Sequence, residues 1–88
     1  MRRGGENESR FLRFTNDSAT LDLSILADGE TIVGEIDPVI ADQLVLEDDD
    51  DNSMPVPVDQ FGRFRVSSTA RTFRLRVVDH LVTQWISR

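Results

Sequence analysis

Hydrophobic and polar residues alternate along most of this chain, and such alternation is typical of β-strands with one buried face. The clearest alternating segment is residues 19–27, which is followed by Asp28-Gly29 and a returning segment at residues 30–37. An Asp-Gly pair between two such segments predicts a β-hairpin closed by a two-residue type I′ turn. This closure places Leu21 opposite Ile36, so one face of the hairpin is predicted to be core.

The other face of this hairpin places two acids, Asp22 and Glu35, opposite each other. Like charges in directly opposed positions destabilise a sheet unless a cation lies beside them. We therefore expect Arg13 or a later arginine within reach of this pair. Gly34 lies opposite Leu23 and predicts either a β-bulge or a close approach of another group to the backbone.

Further segments show the same alternation, and turn-forming residues separate them at short intervals. They are residues 10–16, 43–47, 53–59, 63–67, 72–78 and 81–86. Short strands at this spacing predict an all-β fold, a small seven- or eight-stranded antiparallel β-sandwich. Residues 1–9 are polar and glycine-rich and are predicted to be a disordered tail, and residues 10–88 are predicted to form a single domain.

Two prolines distinguish the segment at residues 53–59 from the others. Pro55 and Pro57 occupy one set of alternate positions, and Met54, Val56 and Val58 occupy the other, which is predicted to face inward. Because proline has no N–H to donate, two prolines on one side favour a strand at the edge of a sheet or a poorly paired strand.

The composition excludes several classes of site and partner. The chain has no cysteine, which excludes disulfides and thiolate metal sites. The net charge of −6 disfavours nucleic acid as a partner, and no apolar run is long enough to span a membrane. All ten basic residues are arginine, and none lies within residues 14–62, where most of the acids are found. We expect a cytoplasmic protein without a cofactor.

Four arginines alternate outward on two predicted strands: Arg63, Arg65, Arg74 and Arg76. If the two strands are neighbours, their guanidinium groups share a patch suited to carboxylate or phosphate. The alternative is that they neutralise acids of the same domain, such as Asp22 and Glu35.

Trp85 is a further candidate for partner contact, because tryptophan and arginine dominate many interfaces. A two-residue turn at Asp79-His80 places Trp85 opposite Arg74, where a cation–π contact is possible, but also places Gln84 on the core face. The alternative for Trp85 is half-buried core packing. His80 itself is expected to be a turn residue, and no catalytic residue is identified.

The acidic run at residues 47–52 places Asp48, Asp50 and Asn52 at the spacing of calcium ligands. Ser53 stands where the calcium loop requires glycine, so no metal site is expected here. The alternative is a solvated hairpin loop that protects the edge of the sheet from aggregation.

One motif carries a resemblance to a known family. Asp59, Gly62, Phe64 and Val66 form the pattern D-x-x-G-x-F-x-V, and Gly34 interrupts an apolar strand upstream. These features resemble carboxypeptidase regulatory-like domains, which are transthyretin-like (prealbumin-like) sandwiches. In that family the matched positions are structural, so Asp59, Gly62 and Phe64 are expected to form a turn rather than a catalytic site.

The two ends of the domain resemble short stand-alone members of this family from high-GC bacteria. Residues 10–14 match R-[FL]-L-x-F, and residues 82–86 match V-T-x-W-[IV]. Ala70 departs from the family, which usually has glycine in this loop. Such members lie near genes for alternative sigma factors and for caspase-like or repeat proteins, which implies an accessory or regulatory role.

These observations predict a non-enzymatic module whose partner is another protein, with a homodimer through an exposed sheet edge as a further possibility. The alternative is a calcium- or carbohydrate-linked surface module built on the same sandwich.

Overall fold

A computed structural model describes residues 9–88 and contains nine β-strands in this range. In chain order they are β1 (Arg10–Thr15), β2 (Thr20–Ile25), β3 (Thr31–Asp37), β4 (Gln43–Asp48), β5 (Ser53–Pro57), β6 (Arg63–Ser67), β7 (Thr72–Val77), β8 (Leu81–Val82) and β9 (Ile86–Ser87). The segment expected to be one last strand is thus divided in two. The predicted disordered tail, except for Ser9, lies outside the described residues.

The strands form two antiparallel sheets that pack face to face as a small β-sandwich, so the predicted all-β class is confirmed. Sheet A has the order β1-β2-β3-β6, and sheet B has the order β5-β4-β7-β8, with β9 also paired to β7. Alternate side chains from both sheets meet in one core. Its fully buried members are Leu21, Leu23, Ile32, Ile36, Leu44, Val56, Phe73, Leu75 and Val77.

The β2–β3 hairpin has the predicted register, with Leu21 opposite Ile36, but a different turn. The hairpin closes through a four-residue loop at residues 27–30 that is framed by a 2.8 Å hydrogen bond from Leu26 N to Thr31 O. Gly29 has a positive φ of 77° and Asp28 does not, so the type I′ prediction is wrong. The cause is the Asp28 carboxylate, which accepts three hydrogen bonds, from the Glu30 and Thr31 amides and the Thr31 hydroxyl.

The opposed acids of this hairpin have the cation that the sequence required. Arg13 on β1 lies opposite Asp22 and donates from Nε to Oδ1 over 2.7 Å. Its NH2 group donates to Oδ2 over 3.1 Å, so the pair is bidentate. On β3, Glu35 lies between Asp22 of β2 and Arg63 of β6. The outer face of sheet A therefore carries two acids between two arginines.

Gly34 is the point of close approach that the pattern predicted. A Cβ atom on Gly34 would collide with the ring of Phe64 and with the carbonyl oxygen of Asp22. Phe64 is opposite Gly34 in the sheet, and its ring covers the space that a side chain would occupy. Glycine is therefore required here for packing of the core aromatic side chain.

The Asp59 motif forms the expected turn between β5 and β6. The Asp59 carboxylate accepts hydrogen bonds from the amides of Phe61 and Arg63, at 2.8 and 2.9 Å. The bond from Arg63 contributes most to lowering the pKa of Asp59 below its ordinary value. Gly62 has a φ of 82°, and its carbonyl accepts from the amide of Ile36, which joins the turn to β3.

The strand with two prolines, β5, is an edge strand as predicted. Hydrogen bonds from Asp48 N to Asn52 O and from Val58 N to Asp42 O show which residue pairs of β4 and β5 are hydrogen-bonded and which are not. In this pattern Pro55 and Pro57 occupy the positions whose nitrogen points away from β4. The prolines therefore remove donors from the free edge without breaking the ladder.

The two valines predicted to face inward from this segment, Val56 and Val58, are buried. The prediction for Met54 is wrong, because its residue is 40% exposed at the start of β5. Alternation predicts which side of the strand Met54 occupies, but it does not predict whether the opposite sheet extends far enough to cover it.

The C-terminal residue ties the sheets together at one end of the sandwich. The Arg88 guanidinium donates to the carbonyl oxygens of Ala70 and Gly29, and it lies 4.9 Å from the centroid of the Phe73 ring. At the other end, Asn16 Nδ2 donates to the carbonyl of His80 over 2.7 Å. Among residues 9–88, no helix has the length and apolar character needed to cross a membrane.

Candidate protein-interaction surface

The outer face of sheet B carries the strongest candidate for partner contact. Register pairing places Val45, Arg76 and Val82 in one row across the sheet. The next row contains Glu47 and Arg74. We call this surface the Trp85 face and define it by Val45, Glu47, Arg74, Arg76, Val82 and Trp85.

Two arginines of this face share one carboxylate. Arg74 Nε lies 2.7 Å from Glu47 Oε1, and Arg76 NH2 lies 2.7 Å from Glu47 Oε2. The hydrogen bond from Arg74 is the largest cause of the lowered pKa of Glu47, and partial burial opposes it. Two guanidinium groups against one carboxylate leave a net positive charge at the centre of the face.

Arg76 is held less completely than Arg74. Among the described residues, its buried Nε has no hydrogen-bond partner, so only the NH2 group binds Glu47. Glu47 therefore does not use the full donor capacity of the two arginines, and their outer N–H groups remain available to an anion.

Trp85 lies against Arg74, so the predicted contact is confirmed although the register from which it was predicted is wrong. The guanidinium carbon of Arg74 is 4.6 Å from the centroid of the Trp85 ring, which is a cation–π distance. Trp85 is 47% exposed and does not belong to the hydrophobic core, so the alternative of core packing is wrong. The contact holds a large aromatic side chain in place on the surface.

A bulge in the last segment gives Trp85 this position. Thr83 is buried, and its amide and hydroxyl both bond to the backbone of Leu75, each over 3.0 Å. Gln84 is the extra residue, and it is exposed instead of lying on the core face. The pairing then resumes one residue later, with Ile86 opposite Phe73.

The turn before this bulge also differs from the two-residue turn at Asp79-His80. Val77 pairs with Leu81, so three residues form the loop. Asp79 occupies the left-handed region with a φ of 67°, and His80 N donates to Val77 O over 2.9 Å. The three-residue loop and the bulge together restore the predicted contact between Trp85 and Arg74.

Among the described residues, the four arginines do not form the patch that neighbouring strands would have given. Arg63 and Arg65 lie on β6 in sheet A, whereas Arg74 and Arg76 lie on β7 in sheet B. The loop at residues 68–71 carries the chain from one sheet to the other, so the two pairs point outward from opposite faces of the sandwich. Their separation follows from strand order, which alternation does not determine.

The two arginines of sheet A have surroundings of their own. Arg63 is opposite Glu35 and lies 5.7 Å from the ring centroid of Phe61, which is 59% exposed. Arg65 is opposite Val33 at the edge of the same face. This second aromatic–arginine pair resembles the first in composition, but it sits beside a turn and not on a sheet face.

The acidic loop between β4 and β5 is organised by its own hydrogen bonds. The Asp48 carboxylate accepts from the amides of Asp50 and Asn52 and from Asn52 Nδ2, at 2.9 to 3.0 Å. The side chain of Asn52 contributes most to lowering the pKa of Asp48. Because Asn52 turns its N–H toward Asp48, its geometry is that of a loop-stabilising donor.

Within the described residues, the carboxylates of Asp48, Asp49 and Asp50 come close enough to one another to share a cation. The hydrogen bonds to Asp48 stabilise this loop as a hairpin connection between β4 and β5.

Sequence reasoning missed three members of the Trp85 face, Val45, Glu47 and Val82. Glu47 was grouped with the acidic loop, yet its alternation with Leu46 assigned it to the outer side of β4. Val82 is 52% exposed beside Arg76 and extends the apolar part of the face.

No protein-family model matches this chain, and neither the curated proteins nor the solved structures contain a significant match to it. The Trp85 face is therefore interpreted through the chemistry of its own residues.

Proposed function

We propose that this protein is a non-enzymatic protein–protein interaction module that binds its partner through the Trp85 face. The observation that supports it most is the exposed Trp85, which is fixed on Arg74 beside a second arginine. Tryptophan and arginine are enriched among the few interface residues that contribute most of the binding energy. A side chain already held in its position loses little conformational entropy on binding.

The chemistry of the face specifies the complementary surface of the partner. Val45 and Val82 offer apolar area on either side of Arg76, which calls for an apolar patch. Arg74 and Arg76 share a single carboxylate, so an aspartate or glutamate of the partner can bind as the second anion. We expect a protein partner with one acid at the edge of an apolar patch.

The biological setting follows from the resemblance to carboxypeptidase regulatory-like domains. On this basis the module acts in the cytoplasm as an accessory or regulatory protein of a sigma-factor system or of a caspase-like or repeat-protein system. The absence of cysteine in the chain is compatible with such a reducing compartment.

Site-specific photo-crosslinking tests this proposal. A photoreactive amino acid replaces Val82 in the full-length protein, which is expressed in its native cells and irradiated. We expect a discrete adduct of defined mass that disappears when Trp85→Ala or Arg74→Ala is added. Truncation of such an anchor residue weakens binding by about 2 kcal/mol or more, or roughly thirtyfold.

The matched control uses the second aromatic–arginine pair. Phe61→Ala removes another exposed aromatic side chain that contacts an arginine, from the turn before β6, and is expected to leave the adduct unchanged. Equal loss with Phe61→Ala, or an adduct that survives both Trp85→Ala and Arg74→Ala, would contradict the assignment of the Trp85 face.

A further inference from the structure

The outer edge of β1 has unused backbone hydrogen-bonding groups. Asn16 N donates to Ala19 O, and this bond sets the phase of the β1–β2 ladder. Alternate residues counted back from Asn16 bond to β2. The N–H and C=O groups of the residues between them, Phe11, Arg13 and Thr15, therefore point away from the sheet. None of these backbone groups has a partner among residues 9–88.

The other strand edges of the sandwich offer less. The free edge of β5 has lost two donors to Pro55 and Pro57, and β8 and β9 are two-residue strands. On β6, Asp59 folds back on Arg63 and bonds both to its amide and to its carbonyl. Within the described residues, β1 is therefore the edge best suited to pair with another strand.

The side chains of β1 indicate which strand this is. Phe11 is 60% exposed, and Arg13 beside it is fixed by its bidentate contact with Asp22. On the inner face, Leu12 and Phe14 are only partly buried against the core. An incoming strand should thus carry an aromatic or anionic side chain for Arg13 and an apolar one for Leu12. The strand β1 itself has both features.

We propose that two copies of this protein associate by antiparallel pairing of β1 with β1, so that Phe11 lies opposite Arg13 of the second copy. A twofold axis then passes beside Leu12, which lies opposite Leu12 of the second copy. The pairing joins both A sheets into one eight-stranded sheet. It places each exposed phenylalanine over a guanidinium group that is already held in position.

The neighbouring registers fit less well. A shift in one direction places Arg13 opposite Arg13, a like-charge pair that destabilises an antiparallel sheet. A shift in the other direction places Phe11 opposite Phe11 and leaves Phe14 and Thr15 without partners among residues 9–88 of the second copy. The proposed register avoids both losses.

Charge substitutions at Phe11 test the proposal and its register together. Sedimentation velocity of the full-length protein from micromolar to millimolar concentration should show a monomer–dimer equilibrium. Phe11→Lys puts a cation opposite Arg13 and should raise the dissociation constant at least about tenfold, whereas Phe11→Glu puts an anion there and should leave the dimer intact. Phe61→Lys is the control for an exposed phenylalanine outside β1 and should have no effect.

A cysteine crosslink measures the register directly, because the natural chain has no cysteine. In the proposed dimer the two Leu12 residues form a non-hydrogen-bonded pair with Cα atoms about 4.5 Å apart, within the range of disulfides. Leu12→Cys should therefore form a disulfide-linked dimer under mild oxidation faster than Arg13→Cys or Phe11→Cys.

Three results would overturn the proposal. They are a wild-type protein that stays monomeric over the whole concentration range, equal weakening by Phe11→Lys and Phe11→Glu, and faster crosslinking at residue 11 or 13 than at residue 12. The Trp85 face lies on the other sheet, so Trp85→Ala should leave the dimer unchanged.

Discussion

Sheet A ends in β1, where three successive outward positions keep their backbone groups, whereas sheet B ends in β5, where two of the three corresponding positions are prolines. The outer faces differ in the opposite sense. Sheet A balances Asp22 and Glu35 with arginines, but sheet B exposes Trp85 beside an excess of positive charge. Sheet B thus has an edge protected by prolines and an exposed Trp85 face, whereas sheet A has a face with balanced charges and an open edge at β1.

This difference shows that the effect of a proline in a strand depends on whether its nitrogen points toward the neighbouring strand or away from it. Shifted by one residue, Pro55 would face β4 and remove a ladder hydrogen bond. In its actual position it removes only the donor that another chain would use.

The largest expected effect concerns what the two sheets share. Phe64 of sheet A and Phe73 of sheet B both belong to the single core, so Phe64→Ala and Phe73→Ala should each lower the free energy of unfolding by about 3–5 kcal/mol. Urea denaturation should show one transition in both variants. Phe11→Ala, at an exposed position, should change stability by less than about 0.5 kcal/mol. A separate transition for one sheet would mean that the core is not shared.

The close contact between Gly34 and Phe64 is the next largest feature. Gly34→Ala should cost about 1–3 kcal/mol because its methyl group overlaps the Phe64 ring and the Asp22 carbonyl. In the background of Phe64→Ala the same substitution should cost less, since the ring is gone. Additive losses in the double variant would show that the ring does not determine the need for glycine.

Arg88 connects the two sheets at one end, and its loss should have a smaller effect. Arg88→Ala removes the hydrogen bonds to Ala70 O and Gly29 O and should lower stability by about 1 kcal/mol. Arg71→Ala removes another exposed arginine nearby and should stay within about 0.5 kcal/mol. Thermal denaturation of both variants distinguishes a bridging role from a general charge effect.

Asp28 should make the β2–β3 turn sensitive to acid. Hydrogen bonds from Thr31 and Glu30 lower the pKa of Asp28 from 3.8 to about 2. Because the folded-state pKa is the lower one, this stabilisation is complete above pH 3.8 and is lost as the pH falls toward about 2. The free energy of unfolding of Asp28→Asn should fall less steeply over this window. Parallel pH profiles would exclude the contribution of Asp28.

The smallest effect on stability is expected at the protected edge. Pro55→Val restores an outward donor on β5 and should change the free energy of unfolding by no more than about 0.5 kcal/mol. Its consequence should be a new concentration-dependent association, measured by light scattering. Unchanged scattering would indicate that the proline is not needed to protect sheet B.

Much of the fold was predictable because neighbouring strands in sequence interact through local rules. The β2–β3 register and the Arg13–Asp22 pair depend on residues close together along the chain and on simple alternation, whereas the Asp59 turn was expected from a family resemblance. The type of turn at Asp28 was not predictable from the Asp-Gly pair, because the side chain of Asp28 selected a longer loop.

Alternation along the chain determined which side chains face the core, since successive residues of a strand point to opposite sides whatever their neighbours are. Only the tertiary structure decided which sheet receives each strand, and therefore that Arg63 and Arg74 lie on opposite faces. It also decided that a bulge after Thr83 returns Trp85 to Arg74. These outcomes depend on pairing between strands distant in sequence, where packing of the whole core selects the arrangement.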